Sequence, residues 1–168
     1  MAEEAGRDVA RYLVAAPEYQ RCRRLVVYAA QPDELPLAHA VASARAAGKT
    51  LLWPRVLPDG RMRFARADRV EELHPGRYGV REPSATALVE TLGSDVLVLV
   101  PGVAFDERGG RLGRGGGIWD RALADARGAV VFGVGYELQI VERIPREAHD
   151  RLMDALVTER GIRRFGTS

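Results

Sequence analysis

The chain has 168 residues, 46% hydrophobic and 29% charged, with a formal net charge of +2, the proportions of one globular domain around a single core. No apolar run approaches the ~20 residues that a bilayer-spanning helix needs, and the acidic start, Met1 to Asp8, lacks the apolar stretch of a secretory leader. Cys22 is the only cysteine, which excludes an internal disulfide and argues against a cysteine-based metal site; a cytoplasmic location is expected.

All basic residues except Lys49 are arginines. Guanidinium is a planar fork suited to phosphate, but here Asp and Glu are interspersed with it. Nucleic-acid binding needs one concentrated basic face, and the clusters Arg21-Cys-Arg-Arg24 and Arg160-Gly-Ile-Arg-Arg164 are too short to supply one. An arginine-mediated RNA-binding protein is therefore a distant reading, and no nucleic-acid partner is expected.

In chain order, Ala5, Val9, Tyr12, Leu13 and Ala16 fall at helical spacing, with Pro17 ending the pattern. Leu25 to Tyr28 reads as a short buried strand. Leu37, Ala40, Val41, Ala44 and Ala47 give a second helix stopped by Gly48, and Thr50 to Trp53 a strand closed by Pro54. This alternation predicts a single three-layer α/β domain, with a central, mostly parallel sheet flanked by helices. Pro58-Asp-Gly60 marks a turn before one strand of a hairpin, Arg61 to Ala65. Glu71 to Ser84 reads mostly as loop and Ala85 to Leu92 as a short helix. Val96 to Val100 is a continuous apolar run typical of a central strand buried on both faces. A glycine-rich loop follows, then a helix starting near Ile118 with Trp119, Ala122, Leu123 and Ala126 on one face. Ala129 to Val134 is another buried strand, and Gln139 to Thr158 adds one or two short strands around a Pro145 turn.

The chemistry concentrates in Arg111-Leu-Gly-Arg-Gly-Gly-Gly-Ile-Trp-Asp120. Gly113, Gly115, Gly116 and Gly117 let backbone amides approach an anion with no side chain in the way. The helix start adds unpaired N–H groups, and Arg111 and Arg114 can add charge-assisted hydrogen bonds to phosphate. There is no Gly-Lys-Ser/Thr ending and no G-x-G-x-x-G register, so these residues define a phosphate loop without defining its ligand. Asp120 could simply complement the helix dipole or hold a magnesium ion beside the phosphates. Asp106 is an alternative ligand or a turn former, and Asp150 is a distant acidic candidate.

The stretch Val100-Pro-Gly-Val-Ala-Phe-Asp106 followed by Arg111 to Arg121 resembles the signature of the 5-formyltetrahydrofolate cyclo-ligase family, also called methenyltetrahydrofolate synthetases. Pro17-Glu-Tyr-Gln20, Tyr28, Asp33-Glu34, Gly48-Lys49, Pro54-Arg55-Val56, Met62-Arg-Phe64, Gly79 to Pro83, Gln139, Pro145, His149-Asp150, Asp154 and Thr158-Glu159 occur in the family's order and spacing. The resemblance implies a monomeric enzyme acting on two small molecules, ATP and 5-formyltetrahydrofolate, with Mg²⁺. It would form 5,10-methenyltetrahydrofolate and release ADP and phosphate. In the family's mechanism the formyl oxygen attacks the γ-phosphate, N10 closes the ring and phosphate leaves; this relies on alignment and charge neutralisation, in keeping with the lack of any Ser-His or Cys-His constellation here.

By position, Arg111, Leu112, Gly113, Arg114, Gly115, Gly116, Gly117, Ile118 and Trp119 would form the ATP loop. Arg114 to Ile118 would also lie near the formyl group, Arg114 and Gly116 would act in catalysis, Gln31 would contact substrate, and Asp120 and Asp150 would hold Mg²⁺. Trp53 and Tyr78 could line a pterin site or belong to the core. Three features depart from the family: the usual Lys-x-x-Leu-Arg helical segment does not precede the matching stretch, Ile118-Trp119 stands for an aromatic pair, and Pro36 stands for an acidic substrate contact. A non-catalytic folate- or nucleotide-binding relative is the alternative that these departures raise.

Overall fold

The computed structural model describes residues 1 to 166, apart from the side chain of Tyr78; the expectation that Tyr78 lines a pterin site thus lies outside the described residues. Helix α1 (Ala2–Ala15) buries Ala5, Val9 and Leu13 of the predicted stripe, leaves Tyr12 half-buried, buries Gly6 and Ala10 as well, and carries Glu3 and Glu4 in its first turn, where acids complement the helix dipole. Pro17 does more than stop this helix. Its fixed φ and missing N–H suit the first helical position, and it opens a second short helix, α2 (Pro17–Arg21), after an extended Ala16. Gly6 has a packing role within α1, since a Cβ there would come within 2.8 Å of the Pro36 carbonyl oxygen.

Strand β1 (Arg24–Val26) leads through a long loop into α3 (Ala38–Ala46) and back along β2 (Thr50–Val56), parallel to β1. Pro54 does not close β2. The strand continues in antiparallel register with β3 (Met62–Arg66), pairing Pro54 with Phe64. The β1 register ends at Leu52, so no β1 carbonyl requires the N–H that proline lacks. The loop after β3 holds two short 3₁₀ turns, Val70–Glu72 and Arg77–Gly79, and a small ribbon of β4 (His74–Pro75) with β5 (Arg81–Glu82).

The helix expected over Ala85 to Leu92 is not formed. Residues Val89–Glu90 make strand β6, which pairs with the edge of β3. The Ser84 hydroxyl accepts the Thr86 N–H at 3.3 Å, a local bond that competes with helix formation. Glu90 then receives Arg24 and Arg66 at 3.0 and 2.9 Å. Pairing with an open strand edge outweighs the weak helical preference of so short a segment.

Strand β7 (Val96–Val100) is buried at all five positions, between β1 and β10 (Val130–Val134), parallel to both. Between β7 and β10 lie a ribbon of β8 (Ala104–Phe105) and β9 (Arg111–Leu112), the glycine-rich loop, and α4 (Ile118–Ala124). After β10, a 3₁₀ turn at Glu137–Gln139 and an irregular stretch reach β11 (Ala155–Thr158), parallel to β10, and β12 (Gly161–Arg164), antiparallel to β11. The second basic cluster thus forms an edge strand, where Arg163 pairs with Glu137 and Arg164 with Glu18.

The sheet runs β12-β11-β10-β7-β1-β2-β3-β6. Side chains alternate between its faces. Leu25, Val27, Leu51, Leu97, Leu99 and Phe132 pack with α1 and α3, whereas Val26, Leu52, Phe64, Val98, Val131 and Leu156 pack with Leu123 of α4. This is the expected three-layer α/β arrangement. Among the described residues no helix is long and apolar enough to cross a membrane.

Candidate active site

Chain order leaves β1 toward β2 on one side and leaves β7 toward β10 and β11 on the other. The winding therefore reverses between β1 and β7. In open α/β sheets, the carboxyl ends of strands at such a switch point flank a ligand crevice. Two loops leave these ends: residues 27 to 37 after β1, and 101 to 117 after β7.

They meet through Arg114. Its Nη2 donates to Asp33 Oδ1 at 2.6 Å and lies 3.8 Å from Glu34 Oε2. The Arg114 side chain is 54% exposed, so its charge is accessible from solvent where the two loops meet. Asp33 and Glu34 sit on a closed turn in which the Glu34 N–H donates to the Gln31 carbonyl at 2.9 Å and the Gln31 N–H donates to Glu34 Oε1 at 2.7 Å. Gln31 is thereby carried to the same crevice as Arg114. Burial pushes the Glu34 carboxyl above its ordinary pKa, against the pull of the Gln31 N–H and the Arg114 charge.

Gly117 is the N-cap of α4 with φ 62°, a left-handed conformation that an L side chain adopts only with strain. A Cβ added at Gly115 or Gly116 would meet nothing within 4 Å, so the loop lies open on that side. The Arg121 guanidinium donates to the Gly116 carbonyl at 2.8 Å, and Trp119 stacks at a tilt on Phe64, 5.8 Å between centroids. One arginine and one tryptophan thus fasten the loop's end to the helix and the sheet.

Arg111 is placed differently from Arg114. Its side chain is only 4% exposed, its Nη1 donates to the Pro101 carbonyl at 2.9 Å, and its Nη2 lies 3.7 Å from Asp120 Oδ2. Burial lowers its pKa, while the charges of Asp120 and Asp150 oppose that shift. The buried guanidinium thus lies within the field of both carboxylates singled out as metal ligands. The Asp150 carboxylate accepts the Glu147 N–H at 2.8 Å and remains 28% exposed. Among the described residues no three His, Cys, Asp or Glu side chains come together as a complete metal cage. Magnesium commonly uses one or two carboxylates and takes its other ligands from phosphate and water, and Asp120 and Asp150 fit that pattern.

Asp106 is a turn former. It is 1% exposed; Oδ1 accepts the N–H groups of Arg108 and Gly110 at 2.9 and 2.8 Å, and Oδ2 accepts that of Ile144 at 2.8 Å. Gln139 adds a second tie, donating to the carbonyls of Gly102 and Val103 at 2.8 and 3.0 Å. These two residues brace the loop after β7 against the segment leading to Asp150. Trp53 is a core residue, 2% exposed, whose Nε1 donates to the Ala67 carbonyl at 2.9 Å. It also walls a cavity of about 360 Å³ formed with Tyr28, Ala29, Leu37 and Val41 beside the β1 loop.

The sequence offered Asp106 as a turn former, and its bonds to Arg108 and Gly110 are that local turn. The pairing of Asp33 and Glu34 with Arg114, the bond from Ile144 to Asp106 and the Gln139 clamp were not anticipated; these partners lie 36 to 81 residues apart, and local patterning carries no signal for such contacts.

The strand order defines a doubly wound α/β protein whose candidate site lies at the switch point, bordered by a glycine-rich loop. Residues 2–159 match the model of the 5-formyltetrahydrofolate cyclo-ligase family. The chain is 31% identical to the 5-formyltetrahydrofolate cyclo-ligase of Escherichia coli over 93% of its own length and 88% of the relative's. It is 30% identical to a probable enzyme of that name from Schizosaccharomyces pombe, covering 90% of this chain and 82% of the other. The solved 5,10-methenyltetrahydrofolate synthetase of Aquifex aeolicus superposes with a TM-score of 0.81 at 32% identity, over 97% of this chain and 83% of that one. A Mycoplasma pneumoniae synthetase of 17% identity shares the fold with a TM-score of 0.75, over 94% and 87% of the two chains. The chain belongs to the 5-formyltetrahydrofolate cyclo-ligase family.

Proposed function

We propose that the protein converts 5-formyltetrahydrofolate to 5,10-methenyltetrahydrofolate, consuming ATP in the presence of Mg²⁺ and releasing ADP and phosphate. Family membership supports the catalytic reading over that of a non-catalytic binding relative. The observation that carries it at the site is the meeting of the glycine-rich loop with the Gln31 turn across the switch point, through Arg114.

In this reading Arg114 and the open amides of Gly115 to Gly117 bind the triphosphate, and Gln31 approaches the folate from the facing turn. The apolar cavity walled by Trp53 supports a pterin site beside that turn. Asp120 and Asp150 would hold Mg²⁺, which when bound neutralises phosphate charge. Arg111, buried between Pro101 and Asp120, fixes the base of the loop and balances the two carboxylates; its place in the ATP loop is then electrostatic more than a direct grip. Catalysis consists of holding the formyl oxygen in line with the γ-phosphate and excluding water. The chain itself needs to supply no nucleophile.

The test is turnover by the folded protein with ATP, Mg²⁺ and 5-formyltetrahydrofolate, following ADP release and the near-UV absorbance of the methenyl product. Stoichiometric appearance of both is expected. Folded protein that binds ATP or folate without releasing ADP would establish the non-catalytic alternative instead.

A further inference from the structure

The contact between Arg114 and the turn at residues 31 to 34 has a use beyond binding. Arg114 is the exposed cation of the glycine-rich loop, and its Nη2 already has a short charge-assisted bond to Asp33, with Glu34 beyond it at 3.8 Å. A phosphate oxygen seeks the same donors. The turn that carries the two carboxylates keeps its shape through reciprocal bonds between Gln31 and Glu34, so both stay on one rigid unit facing Arg114. Asp33 is itself 67% exposed, so the pair can be broken without opening the core.

We propose that Asp33 and Glu34 are positioning residues that hold Arg114 between turnovers, compete with phosphate for it, and reclaim it when the transferred phosphoryl group has left. The proposal rests on the reading of Arg114 as a phosphate ligand. A triphosphate accompanied by its metal takes Arg114 from the carboxylates. This unties the Gln31 turn from the glycine-rich loop and frees it to close on the folate. Once the γ-phosphoryl group is lost, the remaining diphosphate competes less well, Arg114 returns to Asp33, and ADP is released. The ion pair thereby couples the nucleotide loop to the substrate turn and favours product departure.

The sign of the test follows from Coulomb competition. Removing an acidic competitor should strengthen binding of any anion at Arg114. An exposed pair of this kind supports a change of about threefold. ADP affinity is measured by calorimetry for the wild type, Asp33→Asn, Glu34→Gln, Arg114→Ala and the Asp33→Asn/Arg114→Ala double variant, alongside single- and multiple-turnover rates. Asp33→Asn and Glu34→Gln should bind ADP about threefold more tightly. Asp33→Asn should also show a lower multiple-turnover rate with its single-turnover rate preserved. The gain in affinity should vanish when Arg114 is absent. Equal or weaker ADP binding by Asp33→Asn overturns the proposal, as does a gain that persists without Arg114, which would reflect general surface charge. A wild type that binds neither ADP nor ATP removes the nucleotide reading itself, whereas a wild type that binds ADP with no gain in Asp33→Asn removes only the competition.

Discussion

Asp106 joins the loop after β7 to the segment that carries Asp150, and replacing it with asparagine tests that join with little change in shape. In the native protein Oδ1 accepts two backbone N–H groups and Oδ2 accepts the Ile144 N–H, all at 2.8 to 2.9 Å. An amide has only one oxygen. If that oxygen keeps Arg108 and Gly110, the NH₂ group faces the Ile144 N–H, donor against donor; the flipped amide opposes two donors and is worse. Losing one charge-assisted bond costs about 1.5 to 3 kcal/mol, and a stranded buried N–H about 1 to 3 kcal/mol more. These overlap, so Asp106→Asn should destabilise by about 3 kcal/mol, a large part of the stability of a domain this size. Urea unfolding with an unchanged m-value should report it. Burial pushes the Asp106 carboxyl upward, but the N–H groups of Ile144, Arg108 and Gly110 outweigh that and hold its pKa below the ordinary value. Its contribution is therefore present above the usual carboxylate range and lost as the pH falls through the lowered value, and the variant should lack that acid limb. A variant within about 0.5 kcal/mol of wild type, the range of an ordinary surface change, would refute the assignment of Asp106 as the knot of this loop.

Other outcomes follow from the same geometry. Arg163, by hydrogen bonding, lowers the Glu137 carboxyl from 4.5 to about 2. Stability from this pair should be present above pH 4.5 and lost as the pH falls toward 2. Discounted for partial exposure, Glu137→Gln should cost about 1 to 2 kcal/mol at neutral pH and less in acid; equal costs at both, by thermal unfolding, would contradict the pairing. Trp53→Phe should cost about 1 to 3 kcal/mol by leaving the Ala67 carbonyl unpaired in the core, read as a lower urea midpoint. Arg114→Ala should raise the KM for ATP roughly tenfold, the loss of a charge-assisted contact, with little change in melting temperature. Asp120→Asn should shift the Mg²⁺ dependence of turnover to higher concentration; wild-type kinetics would show that Asp120 only complements the start of α4.

Several features were legible in the sequence because they are local. The continuous apolar run of β7, bounded by Pro101-Gly102, read as a strand buried on both faces, and the stripe on α1 read as one face of a helix. The run Gly113 to Gly117 marked an open loop, and the motif around it marked the family. Other features depend on contacts between distant segments. The stretch from Ala85 to Leu92 carries a weak helical preference, yet Val89 and Glu90 lie beside the free edge of β3 and pair with it. Pro54 stops a strand in most settings, but here it falls just beyond the register with β1.

The site divides along the same line. Arg111 and Arg114 look equivalent in sequence, three residues apart on one loop. Tertiary structure turns the first inward onto Pro101 and Asp120 and leaves the second exposed, held by Asp33. By itself the sequence determined the kind of fold, the loop and the family, because backbone preference and hydrophobic period act over a few residues. Only the tertiary structure decided which arginine is buried and which exposed, which aspartate is locked in a turn and which carboxylates pair with the glycine-rich loop. Those outcomes depend on burial and on charge pairing between segments that only the packed sheet brings together.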